Sequence, residues 1–127
     1  MKWADYHQQA KERGALALEL FVAQSVPAKG PEDVKASLAA HLAYQAELEE
    51  QGQLAFAGPM SDDTGELMQG MGMIIYRADS LDAARAMAEA DPMHQSGART
   101  FTMRRWMINE GSLTLSVGLS KKKVSLS

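Results

Sequence analysis

Apolar and polar positions repeat with two different periods along this chain, and each change of period marks an element. Residues 2–13 put Trp3, Tyr6, His7 and Ala10 at i, i+3, i+4 and i+7, which is one helical face, and Gly14 is a stop signal. The stretch ALALELFVAQSV (15–26) alternates Leu16, Leu18, Leu20 and Val22 with other residues and predicts a strand, broken by Pro27, Gly30 and Pro31. Pro31 suits the first position of a helix, and Glu32 and Asp33 suit its positive end. Over 31–51 a helical stripe runs through Val34, Leu38, His41, Gln45 and Leu48, with Leu42 flanking it, and Gly52 ends the helix. QLAFAGPM (53–60) reads as a second strand, SDDTGELMQ (61–69) as a polar loop, and GMGMIIYRA (70–78) as a third strand. In that third strand Met71, Met73 and Ile75 share one face, and Ile74 and Tyr76 the other.

Ser80 is a suitable N-cap for a helix over 81–91 with Leu81, Ala84, Ala88 and Asp91 on one side. RTFTMRRWMI (99–108) is the fourth strand. The tail SLTLSVGLS (112–120) alternates again through Leu113, Leu115, Val117 and Leu119 before Lys121–Lys123. It predicts an added edge strand, blunted by the lysines and open to pairing with another chain. The order βαββαβ defines an α+β class, the ferredoxin-like arrangement of two helices on one face of a four-stranded antiparallel sheet. The expected organisation is an N-terminal helical extension (1–14), one domain (15–110) and a C-terminal tail (111–127). The second sheet face needs a cover, and face-to-face dimerisation supplies one.

Composition narrows the function. A chain of 127 residues is expected to form one domain. A net charge of −3 and a pI near 5.6 argue against a large nucleic-acid or membrane surface. There is no cysteine, so disulfides and thiolate metal sites are excluded. The start, MKWADYHQQAKERG, lacks the apolar stretch of a secretory signal, and no apolar run approaches the roughly 20 residues of a membrane helix. A cytoplasmic location is the default expectation. Nine methionines against three phenylalanines suit either core filling or a Met-lined pocket or interface.

RNA-recognition domains share this strand order, but QGMGMIIY (69–76) has methionines where their third strand needs stacking aromatics. His41 lies on the inward stripe of its helix; position alone favours a hydrogen-bonded core histidine over a functional one. The run EADPMHQSGA (89–98) is stranger. It places Asp91 at the end of a predicted helix, facing the negative end of the dipole at a cost of about 0.3–1 kcal/mol. Asp91 is then either a local cap in the turn before Gly97 or a buried carboxylate that serves as a general base or orients an imidazole. Asp91 and His94 make a poor metal pair, with Pro92 between them and no third ligand in view. Ser96 beside His94 does not make a triad, because adjacency fixes no hydroxyl-to-imidazole geometry. Arg99, Arg104 and Arg105 are candidates to meet an anionic substrate, although any one of them is more commonly a surface charge.

Three blocks taken together, HLAYQAELEEQGQLAFAGPM (41–60), GMGMIIYRA (70–78) and SLDAARAMAEADPMHQSGA (80–98), resemble the YCII-related (YciI-like) family. The resemblance spans about 15–108 and rests on order and spacing rather than on one motif. It implies a dimeric α+β-barrel, a ferredoxin-like domain packed sheet to sheet. It also implies a His–Asp pair in a pocket near the subunit interface. The family histidine falls on His41, the aspartate on Asp91, and the Gly-Pro on Gly58-Pro59. A few relatives act on chlorinated or hydroxylated ring metabolites, including a dehydrochlorinase, and muconolactone isomerases have a similar fold. The implied function is a small cofactor-free lyase or isomerase in which His41 moves a proton on a small cyclic acid, assisted by Asp91. Phe56, Gly58, Pro59, Met60, Met73 and Trp106 would contact the substrate and Arg105 its negative charge. No cofactor or metal is called for. The alternative is a non-catalytic module that binds a small metabolite or supports dimerisation. Topology alone does not bring a mid-helix histidine to a helix-end aspartate.

Overall fold

Pro31 at the start and Gly52 just past the end bound the longest helix, as proline at the first turn and glycine at C′ should. In chain order the elements are α1 (Trp3–Glu12), β1 (Leu18–Pro27), α2 (Pro31–Glu50), β2 (Leu54–Pro59), β3 (Gly72–Tyr76), α3 (Leu81–Glu89), α4 (Pro92–Gln95), β4 (Arg99–Ile108), β5 (Leu115–Gly118) and β6 (Lys123–Leu126). The computed structural model describes residues 1–127. They divide into two compact units, Glu19–Trp106, and Met1–Leu18 with Met107–Ser127.

The larger unit is the α+β layer. Its sheet runs β2-β3-β1-β4, with β3 antiparallel to both β1 and β2. Register places Phe21 opposite Tyr76 and Ala23 opposite Ile74. These four side chains join Met103, Leu48, Ala84 and Ala88 in one core. The helices therefore cover the row Phe21, Ala23, Ser25 and the row Ile74, Tyr76. Met73 and Ile75 point to the opposite face, opposite Gln24 and Val22. Both rows of the central strands are apolar, so alternation alone carried no sign; cross-strand packing decides it. Alanines at 84 and 88 let α3 approach the sheet closely.

Helix α2 divides its stripe between two tasks. Leu48 packs into the core, whereas Leu38 and Leu42 remain 44% and 54% exposed. The predicted helix 81–91 is corrected: α3 stops at Glu89 and α4 begins at Pro92. Proline lacks the N–H that a continuing helix would use, and its ring disfavours helical geometry in the residue before it.

The smaller unit packs Ala10 of α1 with Ala17 and Met107, flanked by Trp3 and Ala15. His7 donates from Nε2 to the Ala17 carbonyl at 3.1 Å. Residues 15–17, expected to be strand, are not: Ala17 has φ +51°, which no strand residue adopts. The tail is also corrected. It folds back on itself as a β5–β6 hairpin, pairing Leu115 with Leu126 and Val117 with Val124, and does not add to the four-stranded sheet. The lysines sit in and beside its turn, where Lys122 takes φ +52°. No helix is long and apolar enough to cross a membrane.

Candidate active site

Asp91 is built into place by the chain break around it. Its backbone is extended, Pro92 opens α4, and its Oδ1 accepts the Met93 N–H at 2.9 Å. The carboxylate thus caps a helix start, where the dipole favours an anion. The expected penalty at a helix C-terminus is reversed. Asp91 is 0% exposed. A buried carboxylate needs partners, and His41 is the other one: its Nδ1 lies 2.8 Å from both carboxylate oxygens. Nδ1 therefore carries the proton and donates it, which leaves the Nε2 lone pair free.

His41 stands in the wall of a cavity of about 780 Å³ between α2 and the sheet. The exposed part of the α2 stripe, Val34, Leu38 and Leu42, forms one apolar wall, and Met68, Met71, Met73 and Met93 contribute to the others. Both readings of the methionine excess are met: Met68 and Met71 line the cavity, and Met103 and Met107 are buried in the two cores. The charged or titratable side chains in the wall are Lys29, His41 and Arg99, with no carboxylate among them.

Around the pair, Tyr44 donates its hydroxyl to the Met87 carbonyl at 2.7 Å. Burial raises the Tyr44 pKa, and the charges of Asp91 and Glu47 add to that. Tyr76 lies fully buried with its hydroxyl unpartnered. Burial, then Asp91, then Tyr44, pushes its ionisation far above the ordinary tyrosine range. Both phenols are therefore neutral groups beside an anionic one.

A second polar cluster, unanticipated from sequence, reaches the same cavity through Ser25 and Arg99. His94 donates from Nδ1 to the Ala88 carbonyl at 2.7 Å, so its Nε2 is an acceptor. The Ser25 hydroxyl sits 2.8 Å from that Nε2 and donates to it. Arg99 donates from Nε to the same hydroxyl at 2.9 Å, and from Nη2 to the carbonyls of Ser25 and Gly70. The His94 ring leans on Phe101 at 4.7 Å between centroids. Burial lowers the His94 pKa below 6.5 despite the opposing Ala88 bond and the Asp91 charge; His41 and Arg99 lower it further. Gly70 takes φ +99°, and a Cβ there would meet Pro27 Cγ at 2.5 Å, so only glycine fits this corner of the loop.

The structure gathers some of the predicted contact residues and not others. Gly58, Pro59 and Met73 line the cavity with His41. Phe56 borders a separate smaller hollow with Gln45 and Glu49, and Met60 is exposed outside the cavity wall. Trp106 is exposed, and alternation from the buried Met103 puts it on the face away from the helices. Arg105 pairs with Glu19 at 3.4 Å near the surface. Six residues of strand, about 20 Å, separate it from Arg99, the arginine that does face the cavity. Alternation along the strand puts Arg99 and Arg105 on one face and Arg104 on the other, and only the position of α2 shows which end of the strand matters. Ser25, His94 and Lys29 had weak sequence signals, the clearest being a serine ending the apolar row Phe21, Ala23.

A βαββαβ layer with a hydrogen-bonded histidine–carboxylate pair, its histidine in a cavity wall, defines a small ferredoxin-like α+β domain. The YCII-related domain model matches residues 4–107, and the chain belongs to that family. It is similar to the uncharacterized protein YjpA of Bacillus subtilis (strain 168), 32% identical over 73 residues, which are 58% of this chain and 79% of YjpA. Among solved structures it resembles the 5-chloro-2-hydroxyhydroquinone dehydrochlorinase TftG from Burkholderia phenoliruptrix AC1100, in complex with 2,5-dihydroxybenzoquinone. The TM-score is 0.50 and the identity 22%, over 68% of this chain and 92% of TftG. That likeness is one of fold.

Proposed function

We propose that the protein is a small lyase or isomerase that uses His41 and Asp91 for acid–base chemistry on a small cyclic or aromatic-derived anion. The observation that carries this reading is the His41 imidazole, oriented by a fully buried carboxylate and placed in a cavity wall. In the proposed step, the free Nε2 takes a proton from a carbon of the substrate. The C–H electron pair forms the new double bond, and a leaving group such as chloride departs; in an isomerisation the proton returns to another carbon. Asp91 stabilises the imidazolium formed in between. The mainly apolar walls suit a ring, and Arg99 and Lys29, which meet no carboxylate, suit its negative charge. That a dehydrochlorinase shares the fold makes chlorinated hydroquinones sensible first compounds.

The test is a screen of chlorinated hydroquinones and ring-cleavage lactones against wild type and His41→Ala. Turnover should fall by about 10²–10⁴-fold in the variant. Undiminished turnover in His41→Ala would refute the mechanism. Binding without turnover in either protein would favour the metabolite-binding module instead. The proposal includes a homodimer in the cytoplasm.

A further inference from the structure

Ser25 is 3% exposed, yet it contributes to the cavity wall, and its hydroxyl is held from two sides. The proton points to His94 Nε2 at 2.8 Å, and the oxygen accepts from Arg99 Nε at 2.9 Å. The Ala88 carbonyl fixes the imidazole tautomer through Nδ1. The position opposite Ser25 on β3 is Gly72, so no side chain from that strand lies over the hydroxyl. Gly72 is not among the positive-φ glycines, and a Cβ there would make ordinary contacts, 3.4 Å to the Gly58 carbonyl oxygen and 3.9 Å to Arg99 Nη2. Arg99 keeps Nη1 free of any hydrogen-bond partner.

A hydroxyl aimed at a neutral imidazole whose other nitrogen is pinned, with a guanidinium beside it, has the parts of an activated nucleophile. We propose that Ser25 is a nucleophilic serine with His94 as its base, giving the protein an acyl-transfer activity toward small, largely apolar esters or lactones. Ser25 Oγ attacks the ester carbonyl while its proton passes to His94 Nε2. The tetrahedral oxyanion forms beside the Arg99 guanidinium and collapses; the alkoxide leaves with the proton from His94. Water, deprotonated by His94, then attacks the acyl-Ser25 ester. The carboxylic acid departs and Ser25 recovers its proton. The net change is ester plus water to acid plus alcohol. Arg99 also serves the function proposed above, but Ser25 and His94 are not part of the His41–Asp91 pair, so Ser25→Ala and His41→Ala test the two activities separately.

p-Nitrophenyl acetate is the probe, read by p-nitrophenolate release and by peptide mass spectrometry of acid-quenched protein. One acetyl group should be found on the peptide containing Ser25, and Ser25→Ala should lack it. His94→Gln should acylate about a hundredfold more slowly. Ser37→Ala, at a surface hydroxyl paired with Ser96, should behave as wild type. Circular dichroism checks that each variant is folded, and Ser25→Cys, which keeps a nucleophile beside His94, should still be acetylated at position 25 if removal of the hydroxyl proves destabilising. Absence of acetyl from Ser25 in the wild type overturns the proposal, whether other residues are labelled or none. So does labelling at Ser25 that is indifferent to His94→Gln.

Discussion

At the residue scale, three histidines of one chain have three different fates, each set by its hydrogen bonds. His7 ties a loop carbonyl, His41 meets a carboxylate, and His94 meets a carbonyl and a hydroxyl. The identity of the partner decides the chemistry. A carboxylate stabilises the imidazolium; a carbonyl and a serine hydroxyl suit the neutral ring. For His94, burial is the largest influence and lowers the pKa from 6.5 in the folded protein. The unfolded chain then binds a proton that the folded chain refuses. Its contribution to stability is fully present above pH 6.5 and is lost as pH falls through the folded-state value. Each unit of that shift corresponds to about 1.4 kcal/mol. Melting temperatures from pH 8 to 4.5 should therefore drop on the acid side of 6.5, and His94→Gln should flatten that part of the curve. An unchanged curve in the variant would remove His94 as the cause.

At the element scale, the decisive feature is the interruption between α3 and α4. One uninterrupted helix through residue 91 would point the carboxylate against the dipole. A break at Ala90 and Asp91 turns the same residue into an N-cap that also reaches His41. The Asp91→Asn variant separates these two tasks. Its amide oxygen can still accept the Met93 N–H, so the cap survives and the loss of stability should stay within about 0.5–2 kcal/mol. The same amide oxygen lies within reach of His41 Nδ1, but the negative charge that stabilises the imidazolium is gone. Turnover of any His41-dependent substrate should fall by two or more orders of magnitude while the melting temperature moves by only a few degrees. A variant that unfolds, or one that keeps full activity, would contradict this division of tasks. The loop after β2 is fixed by comparable means, with the Gly70 carbonyl held by Arg99.

At the scale of the whole molecule, the sheet has one face under helices and another that presents Phe56 and Trp106, 49% and 43% exposed. Large apolar side chains on a sheet face call for a cover, and the proposed homodimer would provide it. Sedimentation velocity at micromolar concentration should give the mass of two chains, and Trp106→Glu should shift the population toward the 13.8 kDa monomer. A monomer throughout would remove this part of the proposal. The family relation was legible because it lives in order and spacing. The GP turn, the alanine-rich helix and the A-x-x-D-P run can be read without coordinates, and the matched span of 4–107 contains them all. The tail was less legible. Its alternation says strand, but β-pairing is non-local, and the partner turned out to be the next stretch of the same tail.

The sequence by itself determined the βαββαβ order of the main elements and the two residues, His41 and Asp91, worth watching. Local signals carry these: proline and glycine punctuation, helical and alternating periods, and residue types with titratable groups. Tertiary structure alone decided which apolar row faces the helices, because both rows are apolar. It decided that α2 leaves half its stripe in a cavity wall instead of the core. It also joined Ser25 to His94 across 69 positions and Arg99 to Ser25 across 74. A hydrogen bond between distant residues depends on how strands and helices stack, and no local pattern along the chain encodes that distance.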